Sequence, residues 1–299
     1  MWRPLSAAVV GAALLAAAAL RAQPSRVGCG PAAAGCGPTA AGVPGSTVTT
    51  TTIVSTAPSW VSSTFAAWML DEASGVRANA KNPPTSNLSE FGGTIANNTV
   101  DKREGAASAE MVVSRMLSYA ATPAAPLTFT IWARLGSGNT GIREIILNAN
   151  ASTGFALEYD GTATKYRVAL NNPSSDILQA GTTTVAGPWT HLGFVRDATT
   201  TQLYLNGTLS AQKTNAFITS TFANMNFSMN TTAAFLGQLD EAGQFNIALS
   251  PQAMCRICSC GIRGEQCTCA GTAFASTGRN ATDCGSCTLP ADCSAAAPS

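Results

Sequence analysis

Three short carboxylate patterns in the chain could suggest hydrolysis: Asp71-Glu72, Glu158-x-Asp160 and Asp240-Glu241. A retaining glycosidase needs two carboxyl groups about 5–5.5 Å apart, one as nucleophile and one as acid. Adjacent residues of a strand point to opposite faces, so neither adjacent pair can act on one substrate. Asp160 precedes Gly161, which is typical of a tight turn. These patterns predict no enzyme activity.

The sequence lacks the residues that catalysis by a histidine-containing triad requires. The chain has one histidine, His191, and no Gly-x-Ser-x-Gly sequence. A hydrolase triad needs a positioned nucleophile beside a histidine base, and no second histidine is available to share a metal with His191. We therefore expect His191 to be a packed or hydrogen-bonded strand residue.

The ten cysteines fall into two groups separated by a cysteine-free middle section. Two Cys-x2-Cys spacings in the second group would suggest zinc in a cytosolic protein. In an exported chain the same pattern favours disulfide bonds, because that compartment is oxidising. We predict a disulfide-rich tail over residues 255–299, and the candidate disulfide residues are Cys29, Cys36, Cys255, Cys258, Cys260, Cys267, Cys269, Cys284, Cys287 and Cys293.

The N-terminus has the pattern of a secretory signal peptide. Arg3 precedes an apolar run from Ala7 to Leu20, and the small Ala22 follows. The run is shorter than the roughly 20 apolar residues of a membrane span, so an uncleaved anchor is the less favoured alternative. We predict removal of residues 1–22, a Pro/Gly/Ala-rich and Thr-rich linker over residues 23–58, and a secreted or cell-surface protein without a membrane span.

Charge argues against a nucleic-acid partner. Only 11% of the residues are charged, the formal net charge is +1, and the sequence has no basic stripe. Nucleic-acid binding depends on such clustered positive charge.

The middle section alternates apolar and polar residues. Residues 127–135 place Phe129 and Ile131 on one face and Trp132 on the other, which predicts a strand with one face on a core. Similar short strands are predicted over residues 154–159, 165–170 and 189–196, a hairpin around Asn206-Gly207, and a final strand pair over residues 235–245. A short helix is predicted after them, with Ser250 as its cap and Pro251 in its first turn. The pattern is that of an all-β sandwich or barrel.

Four segments in order resemble the laminin G-like, concanavalin A-like jelly-roll family: residues 67–75, 129–134, 189–207 and 236–251. The resemblance implies a two-sheet antiparallel jelly-roll sandwich over residues 59–254. Members bind glycans, proteins or calcium, and some relatives are glycosidases with Glu-x-Asp-x-x-Glu on one strand. Here Thr162 or Ala163 stands where the last carboxylate would fall. Similar Cys-rich tails follow such modules in some secreted bacterial proteins.

The resemblance also implies a site for one Ca²⁺. Many relatives bring the opening turn and the closing strand together around an ion, which corresponds here to Asp71 and Asp240, with Asn79 nearby. The family often has an acidic residue close to the position of Asn79. The alternative is that Asp71 caps a turn and Asp240 forms hydrogen bonds across strands.

Two aromatic residues are candidate sugar platforms. Trp132 and Tyr204 alternate with the apolar faces of their strands, so they point to the second face of a sheet. The alternative is that they cover apolar surface. We expect an extracellular binding or adhesion module that recognises a glycan or a cell-surface protein and is not an enzyme. A glycosidase and a structural surface spacer are the alternatives.

Overall fold

The structure is a computed structural model that describes residues 64–81, 85–121, 123–149, 153–171, 176–214, 223–229 and 231–262, together with the backbone of two short strands after them. Its strands are β1 (Thr64–Trp68), β2 (Ser89–Phe91), β3 (Asn97–Asn98), β4 (Ser108–Met111), β5 (Met116–Ala120), β6 (Leu127–Leu135), β7 (Ile142–Ala149), β8 (Gly154–Asp160), β9 (Lys165–Leu170), β10 (Ile177–Gln179), β11 (Trp189–Arg196), β12 (Thr200–Leu205), β13 (Thr208–Thr214), β14 (Asn224–Phe227), β15 (Gly237–Phe245), β16 (Cys267–Ala270) and β17 (Ala273–Ser276). The helix is α1 (Pro251–Cys260).

Two antiparallel sheets contain almost all of these strands. One has the order β13-β12-β11-β6-β15-β4-β3, with β1 also paired to β15, and the other has the order β10-β9-β8-β7-β14-β5-β2. The remaining strands, β16 and β17, form a two-stranded hairpin.

The core lies between the inner faces of the two sheets. Phe129 on β6 and Phe194 on β11 meet Phe155 on β8, and the rings of Phe155 and Phe194 stack with centroids 4.5 Å apart. Each buried Phe contributes about 1.5–3 kcal/mol by leaving water. Period-two strands bury one face in this way, and the predicted two-sheet antiparallel jelly-roll sandwich is confirmed.

Local signals in the sequence fix several turns and the helix start. Asp160 Oδ1 accepts the backbone N–H groups of Thr162 and Ala163, which holds the β8–β9 turn. Asn206 and Gly207 both have positive φ, as a two-residue hairpin turn requires. Ser250 Oγ accepts the N–H of Ala253 and caps α1, as predicted. Residues 235–245 were predicted as a strand pair, which was wrong: β15 is one strand with a bulge between Asp240 and Gly243.

Helix α1 packs on the outer face of the eight-stranded sheet. Met254 and Ile257 of the helix, with Ile262 beyond it, form an apolar cluster with Tyr204 and Phe245 of the sheet. The boundary predicted between residues 254 and 255 falls inside this helix.

The side chains of two cysteines of the second group, Cys255 and Cys258, are described. Both lie on α1, and each belongs to a disulfide bond. The signal-peptide and linker predictions, and those for the remaining cysteine side chains, lie outside the described part of the chain. Within the described residues, no helix has the length and apolarity to cross a membrane.

Candidate functional site

Trp132 lies on the outer face of the eight-stranded sheet, as predicted, but it is only 1% exposed. Its ring contacts His191 on β11 at a centroid distance of 5.1 Å, and the Arg103 guanidinium carbon lies 4.1 Å from the ring centroid. Cys258 and Trp189 pack against it as well. The ring is covered, so the prediction of Trp132 as a solvent-facing sugar platform needs correction.

Tyr204 is covered in the same way. It is 0% exposed and packs with Met254 and Ile257 of helix α1. Its hydroxyl donates to Gln202 Oε1 at 2.9 Å, and burial raises the pKa of Tyr204 to about 12. Tyr204 anchors the helix to the sheet, and its ring offers no face to a ligand in this structure.

The structure brings Asp71 and Asp240 to the same loop, residues 99–107 between β3 and β4. Asp240 Oδ2 accepts the N–H groups of Arg103 at 2.6 Å and Glu104 at 3.1 Å. Burial is the main cause that raises the pKa of Asp240 to about 7; the backbone hydrogen bonds lower it and the charge of Asp71 raises it. The two carboxylates are therefore close enough to interact.

Asn79 does not join this pair. Its Oδ1 accepts the N–H groups of Ala67 at 3.1 Å and Lys81 at 3.0 Å, and its Nδ2 donates to the carbonyl of Thr85 at 2.9 Å. An amide oxygen that faces two N–H donors has little capacity left for a cation. Asn79 organises the segment after β1.

The donor set around Asp71 and Asp240 does not fit Ca²⁺ well. Ca²⁺ needs six to eight oxygen ligands, whereas the groups that point at these carboxylates are N–H donors. Asp240 Oδ1 is buried, and the Asp240 carboxyl also accepts a backbone hydrogen bond from Glu241. Among the described residues, no three His, Cys, Asp or Glu side chains group closely enough to hold a metal.

The outer face of the seven-stranded sheet carries a row of charged side chains. On β8, Phe155 and Leu157 enter the core, so Glu158 points outward. Glu144 on β7 is directly opposite Glu158, and Arg167 on β9 is opposite it on the other side. Residues directly opposite on antiparallel strands have Cβ atoms about 4.5–5.5 Å apart, so the three side chains are neighbours.

Arg167 organises the electrostatics of this row. Its Nε donates to Glu158 Oε2 at 2.6 Å, and its Nη1 lies 3.8 Å from Asp160 Oδ2. Burial raises the pKa of Glu158, while the charge and hydrogen bond of Arg167 lower it. Burial and the neighbouring Glu158 raise the pKa of Glu144 to about 7. One carboxyl is thus paired with a cation, and the other takes up a proton at a much higher pH than an ordinary glutamate.

An amide and a hydroxyl continue the outer face. Asn226 on β14 lies opposite Ser118 on β5, and Ser118 Oγ donates to Asn226 Oδ1 at 2.7 Å. We call Ser118, Glu144, Glu158, Arg167 and Asn226 the polar sheet face. Its centre is shielded, with Glu158 2% exposed, whereas Gln179 opposite Arg167 is exposed at the rim.

The sequence does not reveal this group, because its members come from five strands. The alternation over residues 154–160 does place Glu158 away from Phe155 and Leu157. Nothing in the sequence states that β7 and β9 flank β8 in the register that aligns Glu144, Glu158 and Arg167.

Comparison with known proteins places the chain in a class of folds. Residues 114–255 match a laminin G family model described as the concanavalin A-like lectin/glucanases superfamily. The match and the two sheets together define an antiparallel sandwich of the concanavalin A-like type. A search of curated protein sequences found no match to this chain.

Solved structures share the architecture at low identity. Domain 4 of AbnA, a GH43 extracellular arabinanase from Geobacillus stearothermophilus solved with arabinotriose, aligns with a TM-score of 0.52 at 18% identity and covers 63% of this chain and 95% of that domain. The binding domain of botulinum neurotoxin serotype D aligns with a TM-score of 0.50 at 10% identity and covers 64% and 50%. That of neurotoxin DC, in complex with SialylT, aligns with a TM-score of 0.50 at 12% identity and covers 65% and 50%. The chain spans about half the length of these toxin domains, and identities this low show a shared fold alone.

Proposed function

We propose that this chain is a secreted glycan-binding module whose contact surface is the polar sheet face. The observation that supports the proposal is that one outer sheet face lies beneath helix α1, while the other carries carboxyl, guanidinium, amide and hydroxyl groups in adjacent rows whose shielded centre leads to an exposed rim at Gln179. Such groups hydrogen-bond sugar hydroxyls. The complex of the arabinanase domain with arabinotriose shows that a sandwich of this fold can bind an oligosaccharide.

The charges of the face favour neutral glycans over acidic ones. The two carboxyl groups of Glu144 and Glu158 are balanced by a single guanidinium group, that of Arg167. This group already forms an ion pair with Glu158 and lies near Asp160. An acidic sugar would bring a further negative charge next to these carboxyls. We therefore expect neutral oligosaccharides such as arabino-oligosaccharides to bind better than sialylated ones.

The test is a glycan array probed with residues 23–299, because the helix that covers the other sheet lies beyond residue 250. Gln179→Trp places a bulky side chain at the exposed rim and should lower glycan binding by at least about tenfold. Gln212→Trp is the matched control, since Gln212 is exposed on the outer face of the other sheet, opposite Gln202. Equal loss with both variants, or with neither, would contradict this placement of the site.

A glycosidase is the second candidate, and the Glu144–Glu158 juxtaposition favours it. A carboxyl with a raised pKa beside a second carboxylate is the arrangement of glycoside hydrolysis. We favour binding because the ion pair with Arg167 occupies Glu158. Release of reducing ends from a neutral oligosaccharide, lost in Glu144→Gln, would establish the enzyme instead.

The remaining assignments are also proposals. We propose that residues 1–22 direct export, that residues 255–299 are cross-linked by disulfides in an oxidising compartment, and that a cell-surface protein is the alternative ligand. Intact-mass measurement before and after thiol alkylation tests the first two together. If the chain bound no glycan on the array and no cell surface, a structural spacer would be the remaining interpretation of its function.

A further inference from the structure

Two carboxylates from distant parts of the chain hold the loop of residues 99–107. Asp71 follows β1, and its Oδ1 accepts the N–H groups of Ala106 at 2.7 Å and Ala107 at 2.8 Å. Asp240 lies in β15 and binds the N–H groups of Arg103 and Glu104 from the other side. Four consecutive or nearly consecutive backbone donors thus converge on two carboxylates.

Gly105 makes this arrangement possible. It has a φ of +64°, and a Cβ at this position would overlap the Asp71 carboxylate. Only glycine combines that backbone conformation with such a close approach. The loop is therefore shaped to bring its N–H groups onto both carboxylates.

The attachment points explain what the loop does for the sandwich. On the same side of β15, β1 pairs with residues 242–245 and β4 pairs with residues 237–239. Asp240 lies at the interruption between these two pairings, beside the bulge of β15. The loop thus links the end of β1, the start of β4 and the middle of β15, at the position where the sequence resemblance suggested a calcium ion.

We propose that Asp71, Asp240 and the N–H groups of residues 103–107 form a metal-independent latch that replaces the expected calcium site. Backbone N–H groups carry the partial positive charge that a cation would supply. They can donate to a carboxyl oxygen in either protonation state, and the bonds to the ionised state are the stronger ones. N–H donors pointing at the carboxylates also repel a cation. This inference does not depend on the proposed glycan binding.

Amide hydrogen exchange tests the latch residue by residue. In residues 23–299 with a chelator present, the amides of Arg103, Glu104, Ala106 and Ala107 should be protected, although the loop lies outside the regular strands. Asp240→Ala should speed exchange at Arg103 and Glu104 by at least about tenfold, and Asp71→Ala should do so at Ala106 and Ala107.

The matched control is Asp197→Ala. Asp197 Oδ1 also accepts two backbone N–H groups, from Thr199 and Thr200, but within its own turn. Its removal should leave the exchange of the latch unchanged. If Asp240→Ala does not fold, Gly105→Ala replaces it and should release all four amides. Unprotected amides in the unsubstituted chain with chelator would overturn the proposal.

Thermal melting of the same samples tests whether the loop binds a metal ion. The latch predicts melting temperatures in chelator, millimolar Ca²⁺ and millimolar Mg²⁺ that agree within about 1 °C. A calcium site would give a rise of about 5–10 °C at a hundredfold excess over Kd, with protection of the loop amides only when Ca²⁺ is present. That second outcome would restore Asp71 and Asp240 as calcium ligands.

Discussion

The outer faces of the two sheets differ in what covers them, although both come from the same alternation of residues. The eight-stranded sheet turns Trp132 and Tyr204 outward. Arg103 and Cys258 cover the ring of Trp132, and helix α1 covers that of Tyr204. The seven-stranded sheet turns Glu144, Glu158 and Arg167 outward, in a row without large aromatic rings. On the eight-stranded sheet the outward rings of Trp132 and Tyr204 therefore mark a covering element, whereas on the other sheet the polar row and its exposed rim at Gln179 mark the candidate binding surface.

The largest expected effect comes from the cover of the eight-stranded sheet. Ile257→Asp puts a carboxyl into the cluster between α1 and Tyr204, so the free energy of unfolding should fall by about 4–5 kcal/mol. Urea unfolding measures this. Ile247→Asp is the control, because Ile247 is 38% exposed and should change stability by less than about 0.5 kcal/mol. Similar effects of the two substitutions would mean that the helix does not seal this face.

A smaller effect is expected in the polar row. Arg167→Met leaves Glu158 without its cation and should lower stability by about 3 kcal/mol at neutral pH. Adding Glu158→Gln should restore much of this loss, because a neutral amide tolerates the shielded position better. The check is urea unfolding of both variants, and a double variant no more stable than Arg167→Met would argue against a charge effect.

The protonation of Glu144 predicts how stability depends on pH. Its folded pKa of about 7 lies above the ordinary value of 4.5, so its contribution to stability is complete below about pH 4.5 and is lost as pH rises through about 7. The loss should be on the order of 2 kcal/mol. The free energy of unfolding should therefore be lower at pH 8 than at pH 5. Glu144→Gln should remove the share of this difference that comes from the protonation of Glu144. If Glu144→Gln left the pH dependence of the unfolding free energy unchanged, a group other than Glu144 would be the one that titrates.

The smallest effect concerns the start of the covering helix. Ser250→Ala removes the cap of α1 and should cost about 1 kcal/mol. Ser259→Ala is matched within the same helix, since the Ser259 hydroxyl donates to the carbonyl of Cys255 and caps nothing. Thermal unfolding should separate the two variants by a few degrees. If they melt together, the packing of the helix rather than its cap fixes where it begins.

Features that depend on residues close together in the chain could be predicted from the sequence alone. The alternation over residues 127–135 indicated β6. Asn206-Gly207 indicated the turn between β12 and β13, and Ser250-Pro251 indicated the start of α1. These signals are local because backbone conformation and capping involve residues only a few positions apart. The ordered segments resembling the concanavalin A-like family added the two-sheet architecture.

Which side chains meet depends on the packing of distant segments and could not be predicted from the sequence. The resemblance placed Asp71 and Asp240 at one calcium site. The structure brings both to the loop of residues 99–107, whose N–H donors no local pattern singled out. Alternation placed Trp132 on an outward face, yet burial depends on what packs there, and Cys258 comes from more than a hundred residues further along the chain. Glu144 and Glu158 became neighbours through strand register, which is set by the summed packing of both sheets and not by either residue.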